Sequence, residues 1–491
     1  MSDSALAFES IASLSGRIGS GQLSPVKVVE ELLSRIDKFD GRLHSFIRVM
    51  PEQAMTQARA AEIALKNGVN LGPLHGIPYA AKDLFDVKGV STTAGTHLLA
   101  NNVAKEDSTV VRKLSAAGMV LLGKTHTVQF AFGAAGINHD QGTPHNPWHE
   151  IPHAPGGSSS GSAVAVASGL VPFALGTDTG GSVRVPAALC GIVGLKTTVG
   201  RISRAGVYPL CWTLDSVGPI TRSVEDAALV YQAMQGTDAR DESTAGVASH
   251  DTLRELKDGV KGLRIAFGET TFFDDLDPEV GKAVREAGKV FSSLGAQLAG
   301  IEVPEAAAAW AEKNRVLLIP AEGCVANRDL LDKHLDELDP VIGPRMLTGR
   351  TLSAPDYFIL LRRYAELREQ VRETLREVDA MIVPTTMVPA RSLAAIDASP
   401  EAYLDHNMRF HRNTGIGNIL NLCGVSVPCG FTSGGLPIGL MIYAKPFSED
   451  MALRVAYAYE QATEWHERHP PLPTPLSLAL SRQGRGGGVA H

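Results

Sequence analysis

The sequence predicts a single large α/β/α sandwich, an α/β fold in which a central mixed β-sheet is covered by helices on both faces. Apolar runs typical of buried strands alternate along the chain with segments of helical periodicity, and this alternation indicates an α/β protein. The chain has 491 residues, 44% of them hydrophobic, so it can bury a sizeable core. No stretch resembles a linker between independently folded units, and no internal repeat is present.

Helices and strands alternate up to about residue 180. Residues 24–39 predict a helix because Ser24 can cap it, Pro25 suits its first turn, and apolar side chains form one stripe. The further elements predicted in this part are helices over 51–67, 107–117 and 160–168 and buried strands over 77–84, 119–123 and 173–175. Lys82 lies inside the first of these strands, among apolar residues.

A polar stretch over 236–262 predicts a surface connection to a second group of elements. This group comprises strands over 263–267 and 380–383, a striped helix over 280–294, a long charged helix over about 355–377, and buried segments over 420–428 and 440–443. Residues 1–70 are expected to form a helical segment that packs on a main domain over 71–470. Residues 471–491 are Pro-rich and then Gly-rich, which predicts a flexible tail.

Composition excludes several classes of function. The chain carries 46 Lys and Arg against 53 Asp and Glu, a net charge of −7, so it lacks the basic surface of a nucleic-acid or anionic-membrane binder. The first ten residues contain acidic but no basic side chains, unlike a signal peptide. The uncharged stretch over 156–177 is rich in Gly and Ser and contains Pro172, which makes it a poor membrane span. We therefore expect a cytoplasmic protein with no nucleic-acid or membrane partner.

The cysteines and histidines show no pattern of a disulfide or metal framework. The five cysteines are odd in number and form no C-x-x-C pair, which fits reduced thiols. His466 and His469 are three residues apart, whereas the zinc-protease helix needs a spacing of four. The histidines between residues 139 and 153 are separated by prolines that break any helix, which favours surface-loop histidines over a metal site. We expect neither a metal nor another cofactor.

The densest chemical signal is a pair of Gly/Ser clusters, Gly156–Ser162 and Gly176–Arg184. Glycines let several backbone N–H groups converge on one point, because no Cβ blocks the approach. A serine at the end of such a turn can act as a nucleophile beside a ready oxyanion hole. A serine hydroxyl is a poor nucleophile alone, so this interpretation requires a base nearby, which need not be a histidine.

Two other motif matches fit their surroundings poorly. Gly157–Gly161 satisfies G-x-S-x-G, the nucleophile elbow of α/β-hydrolases, with Ser159 as its nucleophile. The elbow should follow a strand, yet residues 149–155 form a Pro/His loop. Ser24–Lys27 satisfies the S-x-x-K motif of β-lactamases, but helix capping explains Ser24 and the partner motifs are absent.

At these clusters the chain resembles the amidase signature family. The family's signature runs from the first Gly/Ser cluster through a second serine to Arg-x-Pro, and every element is present from Gly156 to Pro186. Upstream, Gly76–Asp83 is similar to the family's segment with the catalytic lysine. Downstream, the similarity continues through 190–204 and 214–219.

The similarity varies along the chain, which indicates how the main domain divides. It is strong over about 70–230 and weaker over about 375–460, while 235–375 carries little of it. The resemblance therefore implies a catalytic core over about 70–230 and a variable, substrate-shaping region over about 235–415. The walls of the substrate site are expected in parts of 126–148, 310–360 and 385–415.

The resemblance implies a Ser–cis-Ser–Lys triad. It assigns Ser182 as the nucleophile, Ser158 as the bridging serine held by a cis peptide, and Lys82 as the terminal base. A lysine acts as a base only when neutral, and burial lowers its pKa. A hydroxyl can accept one proton while donating another, which suits Ser158 to the bridge. The plainer alternatives are a surface lysine and two turn serines.

The residues around the nucleophile receive supporting roles. Backbone N–H groups of Thr179, Gly180, Gly181 and Ser182 are expected to form the oxyanion hole. Asp178 and Arg184 flank Ser182, and we expect a structural ion pair that fixes the turn, although Arg184 could instead bind an anionic substrate. Cys190 lies in an apolar run and is expected to pack in the core.

Three departures from the family pattern bear on the substrate. In the A subunits of glutamyl-tRNA amidotransferases, an acidic residue near the C-terminal Asn-Leu segment helps hold the amino group of glutamine, and Thr414 stands near that place here. His126 stands where many members carry Asn, and Thr197 where many carry Pro. His126 is the next candidate for the base if Lys82 is not.

The resulting hypothesis is an amidohydrolase that cleaves the C–N bond of a small amide, carbamate or urea-like substrate through an acyl-enzyme on Ser182. The enzymatic alternative is the A subunit of an amidotransferase, which is a glutaminase in a multiprotein complex. The non-enzymatic alternative is an assembly subunit that kept the fold, against which the intact Lys82, Ser158 and Ser182 argue. A small-molecule amide is the expected partner, and a homodimer is left open.

Overall fold

The structure, a computed structural model, describes residues 6–472, so almost all of the predicted tail over 471–491 lies outside the described residues. Within them, one sheet contains eleven strands. These strands are β1 (Phe46–Val49), β2 (Pro78–Lys82), β3 (Val120–Thr125), β4 (Phe173–Asp178), β5 (Val193–Lys196), β6 (Ser216–Thr221), β7 (Arg264–Gly268), β8 (Gln297–Ile301), β9 (Ala380–Pro384), β10 (Cys423–Phe431) and β11 (Pro437–Ala444).

The sheet is mixed, as the sequence predicts. Its spatial order is β1-β3-β2-β4-β6-β5-β10-β11-β9-β7-β8. Strand β2 pairs in parallel with β3 and β4, and β7 pairs in parallel with β8 and β9. The remaining pairs are antiparallel, including the central β5–β10 pair that joins the two halves.

Helices cover the sheet. Over the described residues they are α1 (Ile11–Gly19), α2 (Pro25–Leu43), α3 (Pro51–Lys66), α4 (Thr109–Ala116), α5 (Ser160–Ala167), α6 (Arg184–Cys190), α7 (Val224–Met234), α8 (Pro278–Ser293), α9 (Pro304–Ala311), α10 (Arg315–Ala326), α11 (Arg328–Lys333), α12 (Ile342–Leu347), α13 (Ala354–Thr374), α14 (Leu393–Ile396), α15 (Pro400–Ile419) and α16 (Glu449–Gln461).

Both faces of the sheet are covered, which alternate residues of β11 make plain. Leu440 and Ile442 belong to one hydrophobic core, whereas Met441 and Tyr443 belong to the other. Successive side chains of a strand point to opposite faces, so each face packs against its own layer of helices. The predicted α/β/α sandwich with a mixed sheet is therefore confirmed.

Most predicted elements occur with shifted ends. The predicted helix over 24–39 is α2, which Ser24 caps by accepting a hydrogen bond from the Val26 N–H at 3.1 Å. The strands β1, β5, β6 and β8 were not predicted, since they are short or rich in polar and Gly residues. Helices α1, α6, α7, α9 to α12 and α14 to α16 were not predicted either. In α15, Asn413, Thr414 and Gly415 have low helix propensity, and tertiary packing overrides it.

The N-terminal helices share the main core. Val28 and Leu32 of α2 lie in the same cluster of buried side chains as Val164 of α5 and Leu453 of α16. The division into a segment over 1–70 and a domain over 71–470 stays a prediction. All five cysteines are buried and unpaired. Over residues 6–472, no helix combines the length and the apolar character needed to cross a bilayer.

Candidate active site

The carboxyl ends of two neighbouring parallel strands position the predicted site residues. Strands β2 and β4 pair side by side, with Ala81 opposite Leu175. Lys82 is the last residue of β2, and Ser182 lies in the turn between β4 and α6. In open α/β sheets, ligand sites form outside the carboxyl ends of the strands. The loop before α5 brings Ser158 to the same place, and the Ser159 N–H donates to the Ser182 carbonyl at 3.2 Å.

Lys82 is completely buried, and two hydroxyl groups accept hydrogen bonds from it. Its Nζ donates to Ser158 Oγ at 2.8 Å and to Thr177 Oγ1 at 2.8 Å. Burial lowers the pKa of Lys82 to about 7, although the negative charges of Asp215 and Asp178 partly oppose this shift. A large fraction of the amine is thus neutral near pH 7, as a general base requires.

Sequence reasoning missed Thr177 as the second partner of Lys82. It stands one residue before Asp178 in β4. This strand is buried throughout, and its first three residues, Phe173–Leu175, are apolar. A hydroxyl in a buried strand needs a hydrogen-bond partner, and that requirement was the available signal. The pairing register of β2 and β4 decides that this partner is Lys82.

Ser158 and Ser182 differ in exposure. Ser158 is completely buried, and the Gly157–Ser158 peptide bond is cis. Ser182 is 7% exposed and lines a large, mostly apolar cavity. Over residues 6–472, the Ser182 hydroxyl makes no hydrogen bond, so the link from Ser158 to Ser182 is not closed here.

Ser159, the nucleophile of the alternative elbow motif, is unsuited to that role. It is completely buried, and its hydroxyl donates to the Thr177 carbonyl at 3.3 Å. No strand precedes it, since residues 154–159 form a loop. The tertiary structure therefore removes the elbow interpretation.

The turn before Ser182 presents its backbone to the cavity but uses one N–H internally. The Gly181 N–H donates to Asp178 Oδ1 at 2.9 Å, which differs from the expectation that it is free for an oxyanion. In the described chain, the N–H groups of Thr179, Gly180 and Ser182 have no hydrogen-bond acceptor. Gly181 has a φ of +134°, and an added Cβ would lie 2.7 Å from Thr414 Cβ, so this position requires glycine.

Asp178 and Arg184 form the ion pair expected to fix the turn. Arg184 Nε donates to Asp178 Oδ2 at 2.9 Å, and Nη2 donates to Oδ1 at 2.9 Å. Both side chains are completely buried. Asn418 Nδ2 also donates to Asp178 Oδ1, at 2.9 Å, and Arg184 Nη1 donates to Tyr443 Oη at 2.7 Å. The Arg184 guanidinium helps hold the pKa of Asp178 down, at about 2, against the opposing effect of burial.

Ser182 opens onto a cavity of about 390 Å³. Most of its lining is apolar or aromatic, which suits an apolar part of a small substrate. The lining comes from the loop over 131–134, the turn over 179–182, the segment over 210–214, and helices α9, α10, α12, α13 and α15. The principal apolar side chains are Phe132, Leu210, Leu214, Trp310, Val316, Ile319, Tyr364, Leu404, Met408 and Ile419.

Two arginines add positive charge to this cavity. Arg315 lies over the Trp310 ring at 3.6 Å, and Arg345 lies over the Phe132 ring at 4.4 Å. Neither forms an ion pair with a carboxylate of the described residues. Burial lowers the pKa of both guanidinium groups, because a desolvated charge lacks compensation. Both residues fall in the segment where pocket walls were expected.

The three residues that depart from the family pattern differ in whether they contact the turn before Ser182. Thr414 Oγ1 donates to the Gly180 carbonyl at 2.7 Å, so it packs directly on the turn before Ser182. His126 is buried behind α5, where its carbonyl accepts from Gly161 at 3.1 Å, and burial lowers its pKa to about 4. Thr197 Oγ1 donates to the Val217 carbonyl at 2.9 Å. Only Thr414 among them touches the turn of the nucleophile.

The histidine cluster between residues 139 and 153 is partly structural. His139 lies between Asp339 and Asp397, with nitrogen–oxygen distances of 2.8 and 2.9 Å. These two carboxylates raise the pKa of His139 to about 9, so it is charged at neutral pH and joins two segments of the chain. Over residues 6–472, no group of three or more His, Cys, Asp or Glu side chains could hold a metal ion.

Comparison with known proteins shows the family. The profile of the Amidase family matches residues 27–453. The A subunit of the glutamyl-tRNA(Gln) amidotransferase of Chromohalobacter salexigens is 38% identical over 486 residues, which cover 94% of this chain and 98% of that protein. The chain therefore belongs to the Amidase family, and the resemblance seen in the sequence is confirmed.

Solved structures agree with this assignment. The native peptide amidase of Stenotrophomonas maltophilia superimposes with a TM-score of 0.82 and 31% identity, covering 96% of this chain and 99% of that one. The A subunit of the glutamyl-tRNA(Gln) amidotransferase of Thermotoga maritima gives a TM-score of 0.79 and 30% identity, with 96% and 99% coverage. The prediction of an amidase-family enzyme is confirmed at that level.

Proposed function

We propose that this protein is an amidohydrolase that cleaves the C–N bond of a small amide through an acyl-enzyme on Ser182. The observation that carries the proposal is the hydrogen bond from buried Lys82 to Ser158, beside a Ser182 that opens onto the cavity. The lowered pKa of Lys82 supports a role as terminal base. The presence of Lys82, Ser158 and Ser182 together argues against a purely structural role for the protein.

The acylation step transfers one proton along the relay. Ser182 Oγ forms a bond to the carbonyl carbon while its proton passes to Ser158 and the proton of Ser158 passes to Lys82. The tetrahedral intermediate then collapses, the C–N bond breaks, and the leaving nitrogen takes the proton back from Lys82 through Ser158. Ammonia or an amine departs, and substrate binding has to close the Ser158–Ser182 link that is open in the free protein.

Deacylation reverses these roles with water as the nucleophile. A water molecule gives one proton to the relay while its oxygen, which keeps the other hydrogen, bonds to the acyl carbon, and the C–Oγ bond then breaks. Ser182 Oγ recovers the proton, and a carboxylic acid is released. In both steps the oxyanion accepts hydrogen bonds from the backbone N–H groups of Thr179, Gly180 and Ser182, because Gly181 already donates to Asp178.

The cavity supports a substrate that combines an apolar part with an anionic group. Its walls are mostly apolar, while Arg315 and Arg345 bring two guanidinium groups without carboxylate partners. A substrate carboxylate would supply the missing counter-charge and accept charge-assisted hydrogen bonds. We therefore expect a monoamide of a small dicarboxylic acid to be a better substrate than a neutral amide of equal size.

The alternative function is that of an amidotransferase component, as in the relatives that carry this name. Thr414 weighs against glutamine as the substrate, since it lacks the negative charge that would pair with the amino group. Its hydroxyl is also engaged by the Gly180 carbonyl. Self-association into a homodimer stays a prediction.

The test is turnover by the purified chain alone. The panel consists of the primary amides of butanoic, hexanoic and 3-phenylpropanoic acids, the monoamides of succinic and glutaric acids, and glutamine. We expect ammonia release from at least one monoamide, with the acyl adduct on Ser182 seen by intact-mass analysis. Hydrolysis of glutamine alone would favour the amidotransferase alternative, and no adduct or turnover with any member would contradict the proposal.

A further inference from the structure

His411 is a cavity residue to which the proposed acyl transfer assigns no role. It lies on α15 and lines the cavity together with Gly180 and Ser182. A Cβ built on Gly180 would lie 3.9 Å from His411 Cδ2, so the Cδ2 edge of the ring faces the turn before Ser182, with room for a methyl group between them. The Trp310 ring packs edge-on against it, with centroids 6.0 Å apart.

The hydrogen bonding of His411 defines its tautomer. Nδ1 lies 2.6 Å from the Asn407 carbonyl oxygen, which can only accept, so Nδ1 carries the proton. The neutral ring then has its lone pair on Nε2, the atom bonded to Cδ2. Over residues 6–472, Nε2 has no hydrogen-bond partner, so the ring presents an unsatisfied acceptor at the cavity wall.

The surroundings keep this acceptor neutral. Burial lowers the pKa of His411 to about 4, and the positive charges of Arg315 and Arg345 add to that effect, while the Asn407 carbonyl opposes it. His411 is therefore a neutral hydrogen-bond acceptor at neutral pH, in a cavity whose charged groups, Arg315 and Arg345, are donors. A substrate group that pairs with it must be a donor.

We propose that His411 Nε2 accepts a hydrogen bond from the N–H of the scissile amide, and so selects amides over esters of the same acid. The inference rests on the proposed function and names a specificity-determining residue for it. The carbonyl oxygen of the substrate has to reach the N–H groups of the turn over 179–182. The amide nitrogen is bonded to the same carbon, and we place it on the side of the turn where the imidazole edge faces Gly180. An ester oxygen at that place has no hydrogen to donate.

The experiment compares kcat/KM for the best amide of the panel with kcat/KM for the methyl ester of the same acid. The His411→Phe variant keeps a ring of similar size without the acceptor, and His411→Gln keeps an acceptor oxygen. We expect His411→Phe to lower kcat/KM for the amide about tenfold, the scale of one lost hydrogen bond. The value for the ester should change less than about twofold, and His411→Gln should recover part of the selectivity.

A second measurement separates this proposal from the proposed function. An alkyl fluorophosphonate carries no N–H and reacts with Ser182 directly, so its labelling rate should be alike in wild type and His411→Phe. If His411→Phe lowered kcat/KM for the amide, kcat/KM for the ester and the labelling rate equally, the role of His411 would be structural and the proposal would be overturned. An unchanged ratio of kcat/KM for the amide to kcat/KM for the ester would overturn it as well. Absence of label on Ser182 in the wild type would instead contradict the proposed function.

Discussion

Lys82 Nζ lies 2.8 Å from Ser158 Oγ, and both side chains are completely buried. A charged ammonium in such a place is costly unless it is paired, and the acceptors nearest to Lys82 are hydroxyls rather than carboxylates. The pKa of Lys82 therefore falls to about 7. The same burial that lowers this pKa makes the amine available as a base.

The pH dependence of kcat/KM should report the titration of Lys82. Activity requires the neutral amine, so kcat/KM should be constant at alkaline pH and fall tenfold per unit well below the pKa of about 7. A pH–rate series on the wild type measures this limb. Lys82→Ala and Lys82→Arg should both lose most activity, because neither supplies a neutral amine. If a Lys82 variant kept the wild-type rate and the same decline of kcat/KM in acid, another group would be the base.

Replacement of the nucleophile should abolish turnover without unfolding the protein. Ser182→Ala removes one hydroxyl at the cavity surface, where little packing is lost, so its melting temperature should match that of the wild type. Amide hydrolysis should become undetectable, and fluorophosphonate should no longer label the chain. Ser159→Ala is the matched control, since Ser159 is buried beside Thr177; label on Ser159 in the wild type would contradict the assignment.

Alanine substitutions at Gly180 and Gly181, adjacent in the turn, should affect the melting temperature differently. Gly181 has a φ of +134° and would place its Cβ against Thr414, whereas the nearest atom to a Cβ on Gly180 is 3.9 Å away. Gly181→Ala should lower the melting temperature and reduce kcat/KM by at least about tenfold, since the oxyanion donors shift. Gly180→Ala should melt as the wild type does. Equal melting temperatures for both variants would show that the turn adapts.

Breaking the buried ion pair should destabilise the fold. Asp178→Asn leaves the Arg184 guanidinium uncompensated, which typically costs about 3–5 kcal/mol of unfolding free energy. Urea titration measures this loss, and Lys289→Ala, which removes an exposed ion pair with Glu286, should cost less than about 1 kcal/mol. A loss for Asp178→Asn as small as that of the control would show that the pair is dispensable.

The same ion pair predicts a loss of stability in acid. The folded pKa of Asp178 is about 2, below its ordinary value of 3.8, so its contribution is complete above pH 3.8 and disappears as pH falls through about 2. Urea titrations at several pH values should show this decline in the wild type. The decline should be shallower in Asp178→Asn, and parallel curves would assign acid sensitivity to other carboxyl groups.

The arginines of the cavity should discriminate by substrate charge. Arg345→Gln removes a guanidinium held over Phe132, and it should raise KM for the succinic monoamide about tenfold or more. KM for a neutral amide should change little, and Arg363→Gln on the exposed part of α13 serves as the control. An equal increase for charged and neutral amides would indicate a packing role for Arg345.

The sequence by itself determined the family and the α/β architecture, and it indicated the three residues of the proposed relay. The reason is that these features are local: the signature over 156–186 is contiguous, and strand and helix periodicity is visible in short windows. An isolated lysine among the apolar residues of β2 is also informative, because an unpaired buried ammonium has few structural uses.

Only the tertiary structure decided how the residues of the site are connected. Thr177, ninety-five residues further along the chain, meets Lys82 through strand pairing. His411 reaches Gly180 from a helix more than two hundred residues along the chain. That helix, α15, contains residues that disfavour helices, so its packing rather than its own propensity forms it. Contacts of this range depend on the whole fold, and no local pattern encodes them.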